Sequence, residues 1–323
     1  MTRVAAIDCG TNSLRLLVAD VDPGSGTLVD VDRRTEIVRL GEGVDATGLI
    51  SDAALDRTLA VARFYAAIAA EAGVRAVRIV ATSATRDAAD ADRFGEGMRE
   101  IFGVAPEVVT GEEEAALAFA GAVRALPERR DGGPVLVVDI GGGSTEVVLG
   151  DGAGHTPGVL AARSVDIGSV RLTERHLHSD PPTPAEIERA RAEVDEALDA
   201  VAETVPLDRA TLLVGVAGTV TTITAHALAL PTYDSEAVDG AELPVETVRA
   251  ACADLLGRTR ERRAELPYLE TGRVDVIGAG ALVWGQVVER VHRAAGLETV
   301  LASEHDILDG IAWSLARTLT ATG

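Results

Sequence analysis

The chain has 323 residues, 47% of them hydrophobic, so it is long enough for two domains that each bury a core. Its formal net charge of −21 argues against broad binding to nucleic acid or to an anionic membrane, and its lack of lysine excludes the P-loop NTPases, whose phosphate loop requires one. No apolar run has the length of a membrane span, and the N-terminus leads directly into a predicted strand, so we expect a cytoplasmic protein without a signal peptide.

The first half of the chain has the pattern of an α/β domain. Hydrophobic and charged residues alternate between Leu28 and Leu40, and the helix that follows has Ser51 as its predicted N-cap and Gly73 as its predicted stop. The predicted elements are, in chain order, strands at 4–9, 14–20 and 28–39, a helix at 52–72, a strand at 76–81, a helix at 87–101, a strand at 106–109 and a helix at 111–126.

The second half repeats this scheme after a predicted surface turn at 129–134. Repeated units of three strands, a helix, a strand and a helix predict an α/β fold and exclude a β-sandwich or a helical bundle. The predicted elements are strands at 134–139, 144–149 and 158–166, helices at 168–178 and 184–204, a strand at 211–216, a helix directly after it, and a mostly helical remainder whose last helix spans 303 to about 319.

Two similar loops occur, one in each half. Residues 7–13 (the first loop) read IDCGTNS and residues 138–144 (the second loop) read VDIGGGS, so an apolar strand ends in Asp8 or Asp139 before a turn of glycine and small polar residues. A carboxylate can hold Mg²⁺, and closely spaced N–H groups can bind phosphate. An aspartate can instead simply cap its turn. Two such loops at half-chain spacing predict duplicated domains that face each other across a phosphate-filled cleft.

Three further segments contain candidate site residues, each with an ordinary structural alternative. The run Glu112–Glu114 at a helix start contains a carboxylate that could activate water, or it only stabilises the helix N-terminus. Arg86, which follows a strand, could bind phosphate through its guanidinium or pair with Asp87 or Asp90. Residues 215–222 have the strand-to-helix pattern of an anion site or of an ordinary tight turn.

One dense basic run contains four arginines, Arg258, Arg260, Arg262 and Arg263. The simplest interpretation is a solvated helix face, because Glu261 and Glu265 lie nearby; the alternative is an electrostatic guide for a long anionic substrate. The six histidines are scattered and form no pattern that is typical of a metal site.

Seven segments occur in an order that is typical of one protein family: IDCGTNSLRLLV (7–18), ATSATRDA (81–88), TGEEEA (110–115), VDIGGGSTEVV (138–148), SVDIGSVRLTE (164–174), GVAGTVTTI (215–223) and SEHDILDGIA (303–312). Together they resemble the exopolyphosphatase / guanosine pentaphosphate phosphohydrolase (Ppx/GppA) family. The resemblance implies two ribonuclease-H-like domains of the actin, sugar-kinase and heat-shock-chaperone ATPase superfamily, with an interdomain cleft. Domain I would comprise residues 1–120 and 302–323, and domain II residues 121–301.

The resemblance also implies roles for individual residues. Glu114 would be catalytic, Asp8 and Asp139 would hold Mg²⁺ near the reacting phosphate, and Arg86 would contact a phosphate. Glu146 matches a further acidic position that is implicated in activity. The implied substrate-binding residues are Gly10, Thr11, Asn12, Ser13, Gly141, Gly142, Gly143, Ser144, Gly218 and Thr219.

These roles predict Mg²⁺-dependent hydrolysis of the terminal phosphoanhydride bond of inorganic polyphosphate, with release of orthophosphate. Long family members carry an extra C-terminal helical region that this sequence lacks, so we expect shorter chains as substrates. Three alternatives stay open: the same hydrolysis of guanosine pentaphosphate in the stringent response, a small-molecule kinase, against which the Glu-Glu-Glu-Ala signature argues, and a polyphosphate or nucleotide sensor without turnover. No nucleic-acid or membrane partner is expected, and a homodimer is neither predicted nor excluded.

Overall fold

The computed structural model describes residues 1–126, 132–151 and 158–321. These residues form two mixed β-sheets with helices, which confirms the predicted α/β class. In this described part of the chain, no helix is long and apolar enough to cross a membrane. Residues 129–131 of the predicted surface turn lie outside the described residues.

Contacts within the chain define two units, of which unit 1 comprises Met1–Gly121 and Ile307–Gly323. Its elements before the chain enters the second unit are β1 (Thr2–Cys9), β2 (Ser13–Asp22), β3 (Thr27–Ile37), α1 (Val44–Thr47), α2 (Asp52–Glu71), β4 (Ala76–Ala81), α3 (Ser83–Asp87), α4 (Ala91–Phe102), β5 (Glu107–Val108) and α5 (Gly111–Ala125). The strand order is β3-β2-β1-β4-β5. Strands β1, β2 and β3 are antiparallel neighbours, whereas β4 and β5 run parallel to β1.

Unit 2 comprises Ala122–Asp306. Its elements are β6 (Pro134–Ile140), β7 (Thr145–Asp151), β8 (Gly158–Val165), α6 (Ser169–His176), α7 (Pro184–Thr204), β9 (Leu212–Val216), α8 (Ala217–Ala227), α9 (Ser235–Val238), β10 (Glu242–Pro244), α10 (Val245–Gly257), α11 (Arg260–Ala264), α12 (Ile277–Ala295) and β11 (Thr299–Ala302). The strand order is β10-β11-β9-β6-β7-β8. The last helix of the chain, α13 (Ile307–Ala321), belongs to unit 1.

The central strand β1 of unit 1 is buried on both faces. Ala5 and Ile7 belong to a hydrophobic cluster with side chains of α2 and α4, whereas Val4 and Ala6 belong to a second cluster with side chains of α13. Successive residues of a strand point to opposite faces, so a strand that is covered on both sides has a continuous apolar sequence. Helix α13 therefore completes the core of the unit in which the chain begins.

The two sheets repeat one topology. The order β3-β2-β1-β4-β5 in unit 1 corresponds to β8-β7-β6-β9-β11 in unit 2, where β10 is added at the edge. A register shift follows Val18 in one hairpin and Leu149 in the other, at equal distances along the chain from Asp8 and Asp139. The duplication predicted from the two loops thus extends to the irregularities of the strands.

Helix α2 has the ends that the sequence predicts. The Ser51 hydroxyl accepts a hydrogen bond from Ala54 N at 3.2 Å, which confirms the N-cap. Gly73 follows the last turn in the left-handed conformation, with a φ of 67°, which a residue without a Cβ adopts readily.

The structure differs from the predicted elements in three places. The helix predicted at 87–101 begins later, at Ala91, as α4, and a separate short helix that was not predicted, α3, ends at Asp87. Residues 242–244 and 299–302 lie in the remainder that was predicted to be mostly helical, but they are the strands β10 and β11. These strands depend on backbone pairing with each other and with the distant β9. The residues before Ile307 form β11 and the loop that follows it, so α13 begins at Ile307 and not at the predicted residue 303.

Candidate active site

Three parallel strands end at the carboxyl edge of the unit 1 sheet. In β1, β4 and β5, Cys9 lies opposite Ala81 and Ala81 lies opposite Val108. The segments that follow these strands therefore start at one edge, where ligands of α/β proteins typically bind. They contain the turn of the first loop, Arg86 and the start of α5 with Glu114.

The first loop is held by the segment that follows β3. The carbonyl of Thr11 accepts a hydrogen bond from Gly41 N at 2.8 Å, and the carbonyl of Asn12 accepts from Val38 N at 3.0 Å and from Arg39 N at 2.9 Å. A trans peptide points its N–H and its C=O in opposite directions, so the Asn12 N–H points away from this segment. Among the described residues, the buried Asn12 Oδ1 has no hydrogen-bond partner, which makes it a candidate ligand-binding atom.

Asp8 is paired with an arginine that sequence reasoning missed. Arg15 Nε and Nη2 both donate to Asp8 Oδ2, at 2.9 and 2.7 Å, and both side chains are largely buried. The register of β1 and β2 places the two residues directly opposite each other, so that their side chains point to the same face. The signal was present in the sequence, because a hairpin closed between Gly10 and Ser13 requires this register.

The three glutamates at the start of α5 have different surroundings. Glu112 and Glu113 are exposed, and Glu113 caps the helix by accepting a hydrogen bond from Thr110 N at 2.9 Å. Glu114 is buried, with 8% of its surface exposed. Stabilisation of the helix N-terminus therefore accounts for Glu112 and Glu113, whereas the burial of Glu114 requires a different explanation.

Glu114 is bonded to Arg86. Arg86 Nη1 donates to Glu114 Oε2 at 2.8 Å and to the carbonyl of Val109 at 2.9 Å, so this arginine does not pair with an aspartate of its own segment. Burial raises the pKa of Glu114 to about 7, although the Arg86 guanidinium opposes that effect; the nearby charge of Asp8 adds a smaller increase. A carboxyl group with a pKa near neutrality can take a proton from water at neutral pH, as a general base must.

The second loop, in unit 2, is supported by α6. Three consecutive glycine carbonyls accept hydrogen bonds from the first turn of that helix. The pairs are Ser169 N with Gly141 O (3.0 Å), Val170 N with Gly142 O (2.8 Å) and Arg171 Nε with Gly143 O (2.7 Å). The N–H groups of the same peptides, on residues 142–144, therefore point away from α6. Adjacent N–H groups in this arrangement are suited to bind phosphate oxygens.

Gly168 permits the close approach of α6 to the second loop. A Cβ at this position would lie 2.3 Å from Gly142 O and 2.5 Å from Gly143 N, both backbone atoms. Gly168 and Arg171 thus shape the second loop without belonging to it. Sequence reasoning missed both, because nothing local to 168–171 indicates which loop the helix supports.

Asp139 and Glu146 lie opposite each other in the hairpin of β6 and β7. Both are buried, and Ser164 Oγ donates to Glu146 Oε1 at 2.7 Å. Two carboxylates that lie directly opposite each other on one face of a sheet can together bind a divalent cation. Asp139 and Glu146 are therefore candidate metal-binding residues of unit 2.

The segment at 215–222 is a tight strand-to-helix connection. Helix α8 begins directly after β9 at Ala217, which has a positive φ of 68°. A Cβ on Gly218 would lie 1.9 Å from Nη1 of Arg273, so this guanidinium lies against the first turn of α8. Thr219, the other predicted binding residue, is buried beside it. Arg273, which sequence reasoning did not single out, lies at the α8 N-terminus, where an anion is favoured, and its Nε donates to Glu270 Oε2 at 2.7 Å.

The basic run of unit 2 is largely a solvated surface. Arg258 pairs with Asp254 at 2.7 Å and Arg262 pairs with Glu265 at 3.0 Å, all four being part-exposed or exposed. Arg263 is the exception, since its side chain is buried. Most of the run is therefore a solvated surface, which was the simplest interpretation of the sequence.

Comparison with known proteins identifies the family. The model of the Ppx/GppA phosphatase family matches residues 17–314. The chain is 49% identical to exopolyphosphatase 2 of Mycobacterium tuberculosis over 323 residues. This alignment covers 98% of this chain and 99% of that protein. An exopolyphosphatase-like protein of known structure superposes on this chain with a TM-score of 0.93 at 45% sequence identity. The match covers 98% of this chain and 100% of that protein. For the Ppx/GppA family member of Aquifex aeolicus the TM-score is 0.79 at 31% identity, covering 98% of both chains. The chain belongs to the Ppx/GppA phosphatase family.

Proposed function

We propose that the protein is an exopolyphosphatase, which hydrolyses the terminal phosphoanhydride bond of inorganic polyphosphate and releases orthophosphate. The observation that carries this proposal is Glu114, a buried carboxyl group with a raised pKa, bonded to Arg86 at the carboxyl edge of the unit 1 sheet. A base of this kind is suited to water as the nucleophile. The name of the M. tuberculosis relative supports polyphosphate as the substrate class.

In the proposed reaction, a water molecule attacks the terminal phosphorus atom. Glu114 accepts the proton of that water, and the bond between phosphorus and the bridging oxygen breaks, so that the shortened chain leaves with the electron pair. Only Nη1 of Arg86 is bonded among the described residues, which leaves its other N–H groups for a phosphate oxygen. Asn12 N–H supplies a further donor from the first loop.

Unit 2 would bind the phosphates through backbone groups. The N–H groups on residues 142–144 point away from α6 and would donate to phosphate oxygens, as would the hydroxyl of Ser144. Gly218 and Thr219, with Arg273 beside them, form a second position in the same unit that favours an anion.

The donor set of unit 2 fits Mg²⁺. Within the described ranges no three or more His, Cys, Asp or Glu side chains form a group that could hold a metal ion. Mg²⁺ does not need one, because it is commonly held by one or two carboxylates together with water and substrate phosphates. We propose that the buried pair Asp139 and Glu146 holds the ion. When bound, Mg²⁺ would neutralise negative charge on the phosphates.

The test is phosphate release by the purified full chain with Mg²⁺, on polyphosphates of graded length and on guanosine pentaphosphate. Glu114→Gln should lower the rate on polyphosphate by about 10²–10⁴. Glu113→Gln is the matched control, because it removes a neighbouring carboxylate that only caps the helix. The length series tests the predicted preference for shorter chains.

Each outcome has one meaning. Release from polyphosphate by the wild type and the Glu113 variant, but not by the Glu114 variant, would support the proposal. Release only from the nucleotide would assign the protein to guanosine pentaphosphate hydrolysis. Binding of polyphosphate without any release would identify a sensor, and an equal kcat for Glu114→Gln and wild type would remove Glu114 from the role of base.

A further inference from the structure

The hydroxyl groups of Thr11 and Ser83 are hydrogen-bonded to each other. Thr11 Oγ1 lies 2.8 Å from Ser83 Oγ, and the two residues are 6% and 2% exposed. Thr11 belongs to the first loop, whereas Ser83 is the first residue of α3, 72 residues further along the chain. Two buried hydroxyl groups that bond to each other hold their segments together, because separation would leave both without this partner.

Packing around Thr11 strengthens this connection. A Cβ on Gly41 would lie 2.3 Å from Cγ2 of Thr11 and 3.0 Å from Cβ of Ala84, so the segment after β3, the first loop and α3 are in close contact. Gly41 N also donates to the carbonyl of Thr11 at 2.8 Å. The carbonyl, the methyl group and the hydroxyl of Thr11 therefore all have contacts inside unit 1. The next residue of the loop differs, since among the described residues Asn12 Oδ1 has no hydrogen-bond partner.

The segment that Ser83 holds in place also contains the groups beside Glu114. Arg86 Nη1 donates to Glu114 Oε2 at 2.8 Å, and Arg86 N donates to the carbonyl of Thr82 at 3.0 Å. Burial raises the pKa of Glu114 to about 7, and the nearby charge of Asp8 adds to this increase, whereas the Arg86 guanidinium and the Thr82 hydroxyl oppose it. Both opposing groups would move away from Glu114 if α3 were displaced.

We propose that Thr11 and Ser83 are positioning residues, which fix α3, and with it Arg86, relative to the first loop. This proposal rests on the proposed function, in which Glu114 is the base. It gives Thr11 a different role from the one that the resemblance implied, which was substrate binding. The link between the two hydroxyl groups keeps the place where water is activated at a constant distance from the phosphate that the first loop would bind.

The first experiment measures kcat and KM for phosphate release from polyphosphate by the full chain. Thr11→Val and Ser83→Ala each remove one hydroxyl group at nearly constant volume, and each should lower kcat by about 10–100-fold while KM changes by less than about threefold. The double variant should be no slower than the slower single variant, because both substitutions remove the same bond. Thr11→Ser retains the hydroxyl and should retain most of the wild-type kcat.

Thr85→Val is the matched control. Thr85 lies in the same helix and is 3% exposed, but its Oγ1 has no hydrogen-bond partner among the described residues, so this variant should keep the wild-type kcat. A general need for buried hydroxyl groups in α3 would slow this variant as well. A direct contact between Thr11 and the substrate would raise KM in Thr11→Val and leave Ser83→Ala unaffected. Either result would overturn the proposal.

The second experiment needs no substrate. NMR of a chain with isotope-labelled glutamate side chains follows the titration of Glu114, whose signal is identified by its absence in Glu114→Gln. The wild type and Thr85→Val should titrate near pH 7. Thr11→Val and Ser83→Ala should titrate at higher pH, because the two groups that lower the pKa of Glu114 are displaced with α3.

The NMR titration separates this proposal from the exopolyphosphatase assignment. An unchanged titration midpoint in Thr11→Val and Ser83→Ala would overturn the positioning role, whatever the rate of phosphate release. A midpoint at higher pH in both variants of a chain that releases no phosphate would support the positioning role and contradict the exopolyphosphatase assignment alone.

Discussion

Nη1 of Arg86 lies 2.8 Å from Oε2 of Glu114, and yet the pKa of this carboxyl group is raised. The cost of burying the charged form therefore exceeds the stabilisation that the neighbouring guanidinium provides. The two residues come from α3 and α5, which begin at the same sheet edge because β4 and β5 are parallel. Arg86 thus orients the carboxylate without holding it permanently in the charged form.

The pH dependence of phosphate release should reflect this balance. The pKa of Glu114 is about 7, so kcat/KM on polyphosphate should fall below about that pH as the base becomes protonated. In Arg86→Gln the opposing positive charge is absent, and the acidic limb should move to higher pH. Arg86→Lys retains the charge and should move it less. If the acidic limb lay at the same pH in the wild type and in both Arg86 variants, the assignment of Glu114 as the base would be contradicted.

The stability of the protein should depend on pH through the same group. The pKa of Glu114 in the folded protein, about 7, exceeds its ordinary value of 4.5. The stability that this group contributes is therefore fully present below about pH 4.5 and is lost as the pH rises through about 7. Glu114→Gln lacks this dependence, and it should gain about 1–3 kcal/mol relative to wild type between those two pH values. Urea denaturation of both proteins at each end of this pH range measures the change in the free energy of unfolding.

Glu113→Gln provides the comparison for that experiment. Its carboxylate is exposed and lies in the same turn of α5, so the variant should show the pH dependence of the wild type. A constant difference between Glu114→Gln and wild type across the window would mean that the pKa of Glu114 is not raised.

Gly168→Ala should impair the second loop. The added Cβ would lie 2.3 Å from Gly142 O, so α6 and the loop must separate and the N–H groups on residues 142–144 must shift. Phosphate release should fall by about 10–100-fold, since a displacement of about 1 Å in a binding group has effects of that size. Gly257→Ala, which has no atom within 4 Å of its added Cβ, is the control and should keep wild-type activity.

Arg33 anchors the last helix of the chain to unit 1. Its Nη2 donates to Oδ1 of Asp309 at 2.7 Å and its Nη1 donates to Oδ2 at 3.2 Å. Asp309 is 1% exposed, so Arg33→Gln leaves a buried carboxylate without this partner. The free energy of unfolding should fall by about 2 kcal/mol, less than the loss of about 3–5 kcal/mol for a fully buried pair, because Arg33 is partly exposed.

The control for Arg33 is its neighbour on β3. Arg34 is 53% exposed and pairs with Asp32 of the same strand, so Arg34→Gln should change the free energy of unfolding by less than about 1 kcal/mol. Guanidinium denaturation of the two variants compares them directly. Equal effects would mean that the pair with Asp309 does not anchor α13.

Much of the fold was predictable because its signals are local. Helix α7 has the predicted bounds, 184–204, since Thr183 and Glu186 form a capping box at its start and the apolar period continues to its end. The strands that lead into the two loops, β1 and β6, have apolar runs before Asp8 and Asp139, and they occur within two residues of where the sequence predicts. The candidate site residues were named from the motifs alone, and their roles stay predictions.

The sequence by itself determined the α/β class, the duplication, the two loops and the family, because each is recognised from short local segments whose patterns do not depend on tertiary contacts. Only the tertiary structure decided which carboxylate of the run 112–114 is buried and that residues 299–302 form a strand. The physical reason is the same in each case. Burial, ion pairing and strand pairing depend on groups far apart in sequence, such as Arg86 with Glu114 and β11 with β9, and only the folded chain brings them together.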